Sequence, residues 1–193
     1  MSPKISRVVA DGVQVFYRYA GSTTNPALLL LHDYPSSSFY FCSLMPLLST
    51  KYYVVAPDYL GFGFADVPTS RNYTYTFENL TTTAEKFLDA LQIHKFALYI
   101  YGFGAPIGLR LALRRPSAIT ALITQNGNTY EEGLGERWKV PRELWATNAP
   151  HLRAAIRAQV IDFERTKGQY VNGAVDGGAR VEPEAYHLDC ALL

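Results

Sequence analysis

Through residues 5–10 and 13–19 apolar and polar positions alternate on either side of an Asp-Gly pair ("VVADGVQV"), the pattern of a β-hairpin. The pattern then changes. "PALLLLH" at 26–32 and "YYVVAPD" at 52–58 are short, unbroken apolar runs closed by turn residues, as expected of strands buried on both faces. Between them, "SSSFYFCSLMPLLS" has room for a short helix. In "TYTFENLTTTAEKFLDALQI", 74–93, Phe77, Leu80, Ala84, Phe87, Leu88 and Leu91 recur at helical spacing, and Thr76 is placed to cap the helix. "HKFALYIY" predicts another buried strand, "PIGLRLALRR" a helix opened by Pro106, and "ITALITQNG" a further strand. Past residue 127 the segments are helical or irregular, with no strong strand pattern.

Strands alternating with helices through residue 126 predict an α/β fold: a doubly wound, mostly parallel sheet behind an N-terminal hairpin. The expected division is a core over 1–126 and a partial helical cap, or lid, over 127–193, laid across the carboxyl edge of the sheet.

Composition adds little that redirects this reading. The chain has 193 residues, 48% of them hydrophobic and 18% charged, with a net charge of +1. No global field would recruit nucleic acid or an anionic membrane. The longest apolar run, "ALLLL" at 27–31, is too short to span a bilayer, and the N-terminus lacks the apolar stretch of a signal peptide, so a cytoplasmic protein is expected. Cys42 and Cys190 form neither a disulfide framework nor a metal knuckle. No metal and no cofactor is implied. "GFGAPIG" superficially echoes a dinucleotide-binding turn, but its spacing is off by one residue and it does not follow the first strand. The 14 tyrosines and 10 phenylalanines suit a pocket for a small apolar molecule, although core packing accounts for most of them.

In such a sheet ligands bind at the carboxyl ends of the strands. Three turns fall there: "HDYPSSS" at 32–38, "PDYLGFGFAD" at 57–66 and "YGFGAP" at 101–106. Their order, with "QNGNTYEEGLGERW" after the next strand, resembles the α/β-hydrolase superfamily, and within it the haloalkane dehalogenase and epoxide hydrolase-like branch. The resemblance implies an elbow of small residue, any residue, nucleophile, any residue, glycine, with Asp as the nucleophile inside an Asp-Tyr-Gly-Ala-Pro string. Laid on this chain, the nucleophile position falls on Gly102, followed by Phe103 and the closing Gly104. Glycine has no side chain with which to form a covalent intermediate. It does relieve the strained backbone that the elbow imposes on its tip, so the fold is expected to survive where the chemistry does not.

The family usually has His-Gly in the first turn; here Asp33 replaces that glycine after His32. By the family pattern the backbone N–H groups of Tyr34 and Phe103 would form an oxyanion hole, independent of side-chain identity, while His32 orders the loop. Asp33 has two readings: a substitute acid or base, or an outward-pointing loop residue. The supporting acid and general-base histidine of the family would come from strands beyond residue 193. His94, His151 and His187 do not stand at the matching position. Asp58 and Asp66 match turn-shaping positions, and Asn126, Asn128, Glu131 and Glu132 follow the last strand at the same sheet edge. In the cap, Trp138, Trp145, Phe163, Tyr170 and Tyr186 are candidates to line a pocket; the resemblance makes Tyr170 the match for a tyrosine that holds an epoxide oxygen, against a packing role.

With the C-terminal strands missing, "ITALITQ" is expected to be an open edge, completed by a homodimer partner or another chain. Three functions stay open: a non-covalent small-molecule enzyme, as in secondary-metabolite or toxin biosynthesis; an inactive pseudoenzyme or ligand-binding remnant; and a hydrolase acting through a residue the pattern does not reveal.

Overall fold

The computed structural model describes residues 2–67 and 72–193, with Arg137 described by its backbone alone. The expected hairpin is present: β1 (Lys4–Ala10) pairs antiparallel with β2 (Val13–Ala20). Asp11 and Gly12 both take positive φ, +53° and +73°, as a tight right-twisted hairpin requires. β3 (Ala27–Leu31) leads through a 3-10 turn (Ser38–Phe41) and the one-turn helix α1 (Met45–Leu48) to β4 (Tyr53–Pro57). Helix α2 (Phe77–Ala90) follows, its N-terminus capped by Thr76, whose hydroxyl accepts the Asn79 N–H at 3.1 Å. Then come β5 (Phe96–Tyr101), α3 (Gly104–Arg114) and β6 (Ile119–Gln125).

Among the described residues the sheet has six strands in the order β1-β2-β4-β3-β5-β6, and β3, β4, β5 and β6 run parallel. Alternate residues of β3 feed separate cores. Leu29 and Leu31 join Val55, Phe87, Leu98, Ile107 and Leu111 on one face, and Leu28 and Leu30 join Phe41, Met45 and Val54 on the other. Burial on both faces is why β3 and β4 read as unbroken apolar runs. Among the described residues, β6 forms one edge of the sheet, and Leu122 and Ile123 on it are exposed.

The chain divides into two compact units, Met1–Thr129 and Tyr130–Leu193. The second is helical: α4 (Lys139–Thr147), α5 (Pro150–Val160), α6 (Phe163–Val171) and α7 (Pro183–Ala191). Pro150 and Pro183 occupy the first turns of α5 and α7, and the Asp162 carboxylate caps α6 by accepting the Arg165 N–H at 2.7 Å. Among the described residues no helix is long and apolar enough to cross a membrane.

Candidate active site

Sheet register brings the site together. β3 and β5 are parallel neighbours with Leu31 paired to Ile100, so the residues two positions on, Asp33 and Gly102, leave the sheet side by side. The turn from β5 into α3 is tight. Gly102 at its tip has φ +47°, and a Cβ on Gly104 would stand 2.5 Å from the Leu31 carbonyl oxygen. Both positions are held to glycine by backbone, for different reasons.

Over Gly102 lies the side chain of Asp33. A Cβ built on Gly102 would fall 2.2 Å from both the Cγ and the Oδ1 of Asp33, far inside van der Waals contact. The Phe103 N–H donates to Asp33 Oδ1 at 2.6 Å. Of the two sequence readings, the outward-pointing one is therefore wrong: a carboxylate so close to the elbow finds backbone donors there that solvent-facing rotamers would forgo. The expectation of an open oxyanion hole is corrected by the same bond, because the Phe103 donor is already taken. Burial raises the carboxyl pKa above the ordinary aspartate value, and the backbone N–H groups of Phe103 and Tyr34 act against that rise.

His32 orders the loop from beneath. It is fully buried and stacks on Tyr59 with ring centroids 4.0 Å apart. Its Nδ1–H donates to the Asp33 carbonyl at 2.8 Å, and its Nε2 accepts the Tyr59 N–H at 3.4 Å. Burial lowers its pKa to about 4, against smaller opposing effects of Asp58 and the Asp33 carbonyl. A neutral imidazole with both nitrogens engaged is a support, not a free base. Ser36 Oγ–H adds a 2.9 Å bond to the same Asp33 carbonyl.

Asp58 shapes turns, as its setting suggested. Buried, it accepts the Ser38 N–H at 2.7 Å and the Phe64 N–H at 2.8 Å, tying the first turn to the second. Asp66 is exposed. Asn126 is exposed with φ +49°, and Glu131 pairs with Arg142 at 3.4 Å. His94 precedes β5 and so lies at the opposite end of the strand from the elbow, while His151 and His187 are exposed on α5 and α7. In the helical unit the Tyr170 hydroxyl donates to the buried Asp189 carboxylate and its ring packs 6.1 Å from that of Tyr186. Trp138 and Trp145 contact each other at 5.7 Å.

Beside the elbow, aromatic rings gather on Phe103. Tyr34 and Phe62 lie 5.8 and 5.6 Å from the Phe103 ring, and Phe77 lies 4.7 Å from it. Sequence reasoning missed Tyr40 and Tyr101, whose rings stack at 5.1 Å. Burial, the Tyr101 hydroxyl and the nearby Asp33 charge all push the Tyr40 phenol up. Nothing in "SSSFYF" marks that tyrosine, since the stack depends on the loop folding back. A separate concavity of about 440 Å³ at the amino ends of the strands, lined in part by Asn25, Tyr53, Gln92, His94 and Lys95, contains no carboxylate.

A strand–elbow–helix in this sheet order matches the family model of the alpha/beta hydrolase fold over residues 26–171. The chain belongs to that family. An uncharacterized hydrolase of Saccharomyces cerevisiae is 44% identical over 188 residues, which span 96% of this chain and 64% of that protein. A haloalkane dehalogenase of Mycobacterium marinum is 32% identical over 116 residues, 60% of this chain and 39% of its own. A cis-3-alkyl-4-alkyloxetan-2-one decarboxylase of Shewanella oneidensis is 29% identical over 128 residues, 66% of this chain and 40% of its own. Among solved structures, a loop variant of the haloalkane dehalogenase DbeA from Bradyrhizobium elkanii superposes with a TM-score of 0.77 at 20% identity, covering 100% of this chain and 65% of that one. The chain thus spans less than two thirds of the length of these relatives.

Proposed function

We propose that this α/β-hydrolase-family chain serves a small-molecule enzyme whose elbow carries no nucleophile and whose chemistry is proton transfer by Asp33. The bond from Phe103 N–H to Asp33 Oδ1 carries this reading, because it fixes a carboxylate over a residue that has no reactive atom. Hydrogen on Gly102 cannot attack a substrate. A half-buried carboxyl, its pKa raised by desolvation, is suited to accept a proton at the oxygen not held by Phe103 and to return it to a leaving group or to water. The aromatic rings of Tyr34, Phe62 and Phe103 offer an apolar substrate a fitting wall. Elimination, isomerisation or cyclisation, of the kind used in secondary-metabolite or toxin biosynthesis, needs nothing more from the elbow. The oxetanone decarboxylase among the relatives is named for a reaction other than hydrolysis. Cys42 and Cys190 are not joined in a disulfide, which fits a reducing cytoplasmic setting.

The test assays wild type and Asp33→Asn on a panel of esters, epoxides, haloalkanes and β-lactones, with intact-mass analysis during turnover. Expected are turnover without a covalent adduct and a loss of roughly 10²-fold or more in the variant. Undiminished turnover by Asp33→Asn, or an adduct on the β5–α3 turn, overturns the reading. Tight binding of apolar ligands with no turnover at all favours the second reading, an inactive pseudo-hydrolase. That reading draws on His32, whose ring nitrogens are both engaged.

A further inference from the structure

In acyl transfer, charge develops on the carbonyl oxygen and must be met by donors already aimed at it. The hole expected here depends on two backbone donors, Tyr34 N–H and Phe103 N–H. The structure shows what has become of one of them. Phe103 N–H, the first amide after the elbow tip, is bonded to Asp33 Oδ1 at 2.6 Å. The bond is charge-assisted, and it is short for its kind. A substrate oxygen arriving at that N–H would have to displace the carboxylate and would meet a like charge while doing so.

The placement of Asp33 is not a loose rotamer. Its carbonyl is held by His32 Nδ1–H at 2.8 Å and by Ser36 Oγ–H at 2.9 Å, which pins the backbone. The His32 ring is in turn held by a stack on Tyr59 and an edge contact with Phe62, at centroid distances of 4.0 and 5.7 Å. The carboxylate reaches the elbow only because Gly102 has no Cβ, which would stand 2.2 Å from Asp33 Cγ. The two departures from the family pattern, a carboxylate at 33 and a glycine at 102, are therefore one geometric arrangement.

We infer that Asp33 is a specificity-determining residue: it holds the Phe103 N–H as an internal ligand, closes the elbow to substrates that react through a carbonyl oxyanion, and admits only molecules that react without one. Removing the side chain should expose a site that accepts a small free carboxylate in its place. This goes beyond the assignment of proton transfer to Asp33 and stands or falls separately, since it concerns occupancy and needs no turnover.

The experiment follows the Phe103 amide by ¹H–¹⁵N NMR in wild type, Asp33→Gly and Asp33→Asn, each titrated with sodium formate against a sodium chloride control. In wild type the resonance is expected far downfield and unmoved by formate. In Asp33→Gly it should move upfield, then return downfield saturably as formate fills the vacated space. Asp33→Asn keeps an acceptor oxygen on the N–H, so it should lose part of the downfield shift yet stay closed to formate. It also keeps the side-chain volume should Asp33→Gly fold poorly. The inference is overturned if the wild-type resonance is not downfield, if formate moves all three proteins alike, if Asp33→Gly shows no saturable response, or if Asp33→Asn binds formate as readily as Asp33→Gly.

Discussion

The Asp33 carboxylate fills the space in which a side chain at Gly102 would begin, with Cγ only 2.2 Å from the Cβ position. Substitution at 102 must therefore move Asp33 as well as force an L-residue to φ +47°. Gly102→Ala is expected to destabilise by about 3 kcal/mol, of which the left-handed backbone accounts for about 1–2. In an Asp33→Gly background the same change should cost only the backbone share, giving an interaction energy of about 1–2 kcal/mol in a double-mutant cycle. Urea denaturation of the four proteins measures it, and additive effects contradict the overlap. It also follows that restoring a carboxylate at 102 alone is a poor test of lost activity, because the resident one is in the way.

His32 should make the protein acid-sensitive. Burial lowers its folded pKa to about 4 from an ordinary 6.5, so the fold favours the neutral ring. The associated stability is complete above pH 6.5 and is lost as pH falls from there toward 4. With 1.36 kcal/mol per unit, the loss is on the order of 3 kcal/mol. Thermal melts across that range should show it. His32→Gln should be less stable at neutral pH but flatter over the same interval; an unchanged slope would count against His32 as the sensor.

Asp33 works in the opposite sense. A carboxyl whose folded pKa lies above its ordinary value of 3.8 is disfavoured when ionised, so the penalty appears as pH rises past 3.8 and persists at neutrality. Asp33→Asn should raise the melting temperature at pH 7 more than at pH 3. A gain of stability together with a loss of turnover would identify Asp33 as a group kept for function. Equal effects at both pH values would remove that interpretation.

Asp58 joins two turns through a buried bond to Ser38 N–H and a part-buried one to Phe64 N–H. Asp58→Ala leaves both donors without their acceptor, at about 1–3 kcal/mol each. A loss of roughly 3 kcal/mol is expected, with faster amide exchange through both turns. Protection confined to one turn would show that they are not coupled.

Among the described residues β6 is an edge strand, and its sequence, "ITALITQ", contains no charge and no proline. Such edges pair readily. The 193-residue polypeptide studied by itself is expected to pair through this strand, and Leu122→Lys should shift its light scattering toward the monomer. A monodisperse wild-type monomer excludes the idea.

Periodicity alone laid out most of the molecule. The hairpin at Asp11–Gly12, the Thr76 cap, the order of strands and helices and the helical character of the C-terminal unit all follow from interactions between residues close in sequence. The three turns that build the site were legible for the same reason, and glycine at 102 was visible at once. What the carboxylate beside it does was not. Whether Asp33 points to water or to the elbow depends on a residue 69 positions away, reached only because β3 and β5 pair with Leu31 beside Ile100. The Tyr40–Tyr101 stack is of the same kind. Local sequence sets dihedral preferences and burial faces. The contact between Asp33 and the elbow was decided by strand register, a property of the assembled sheet.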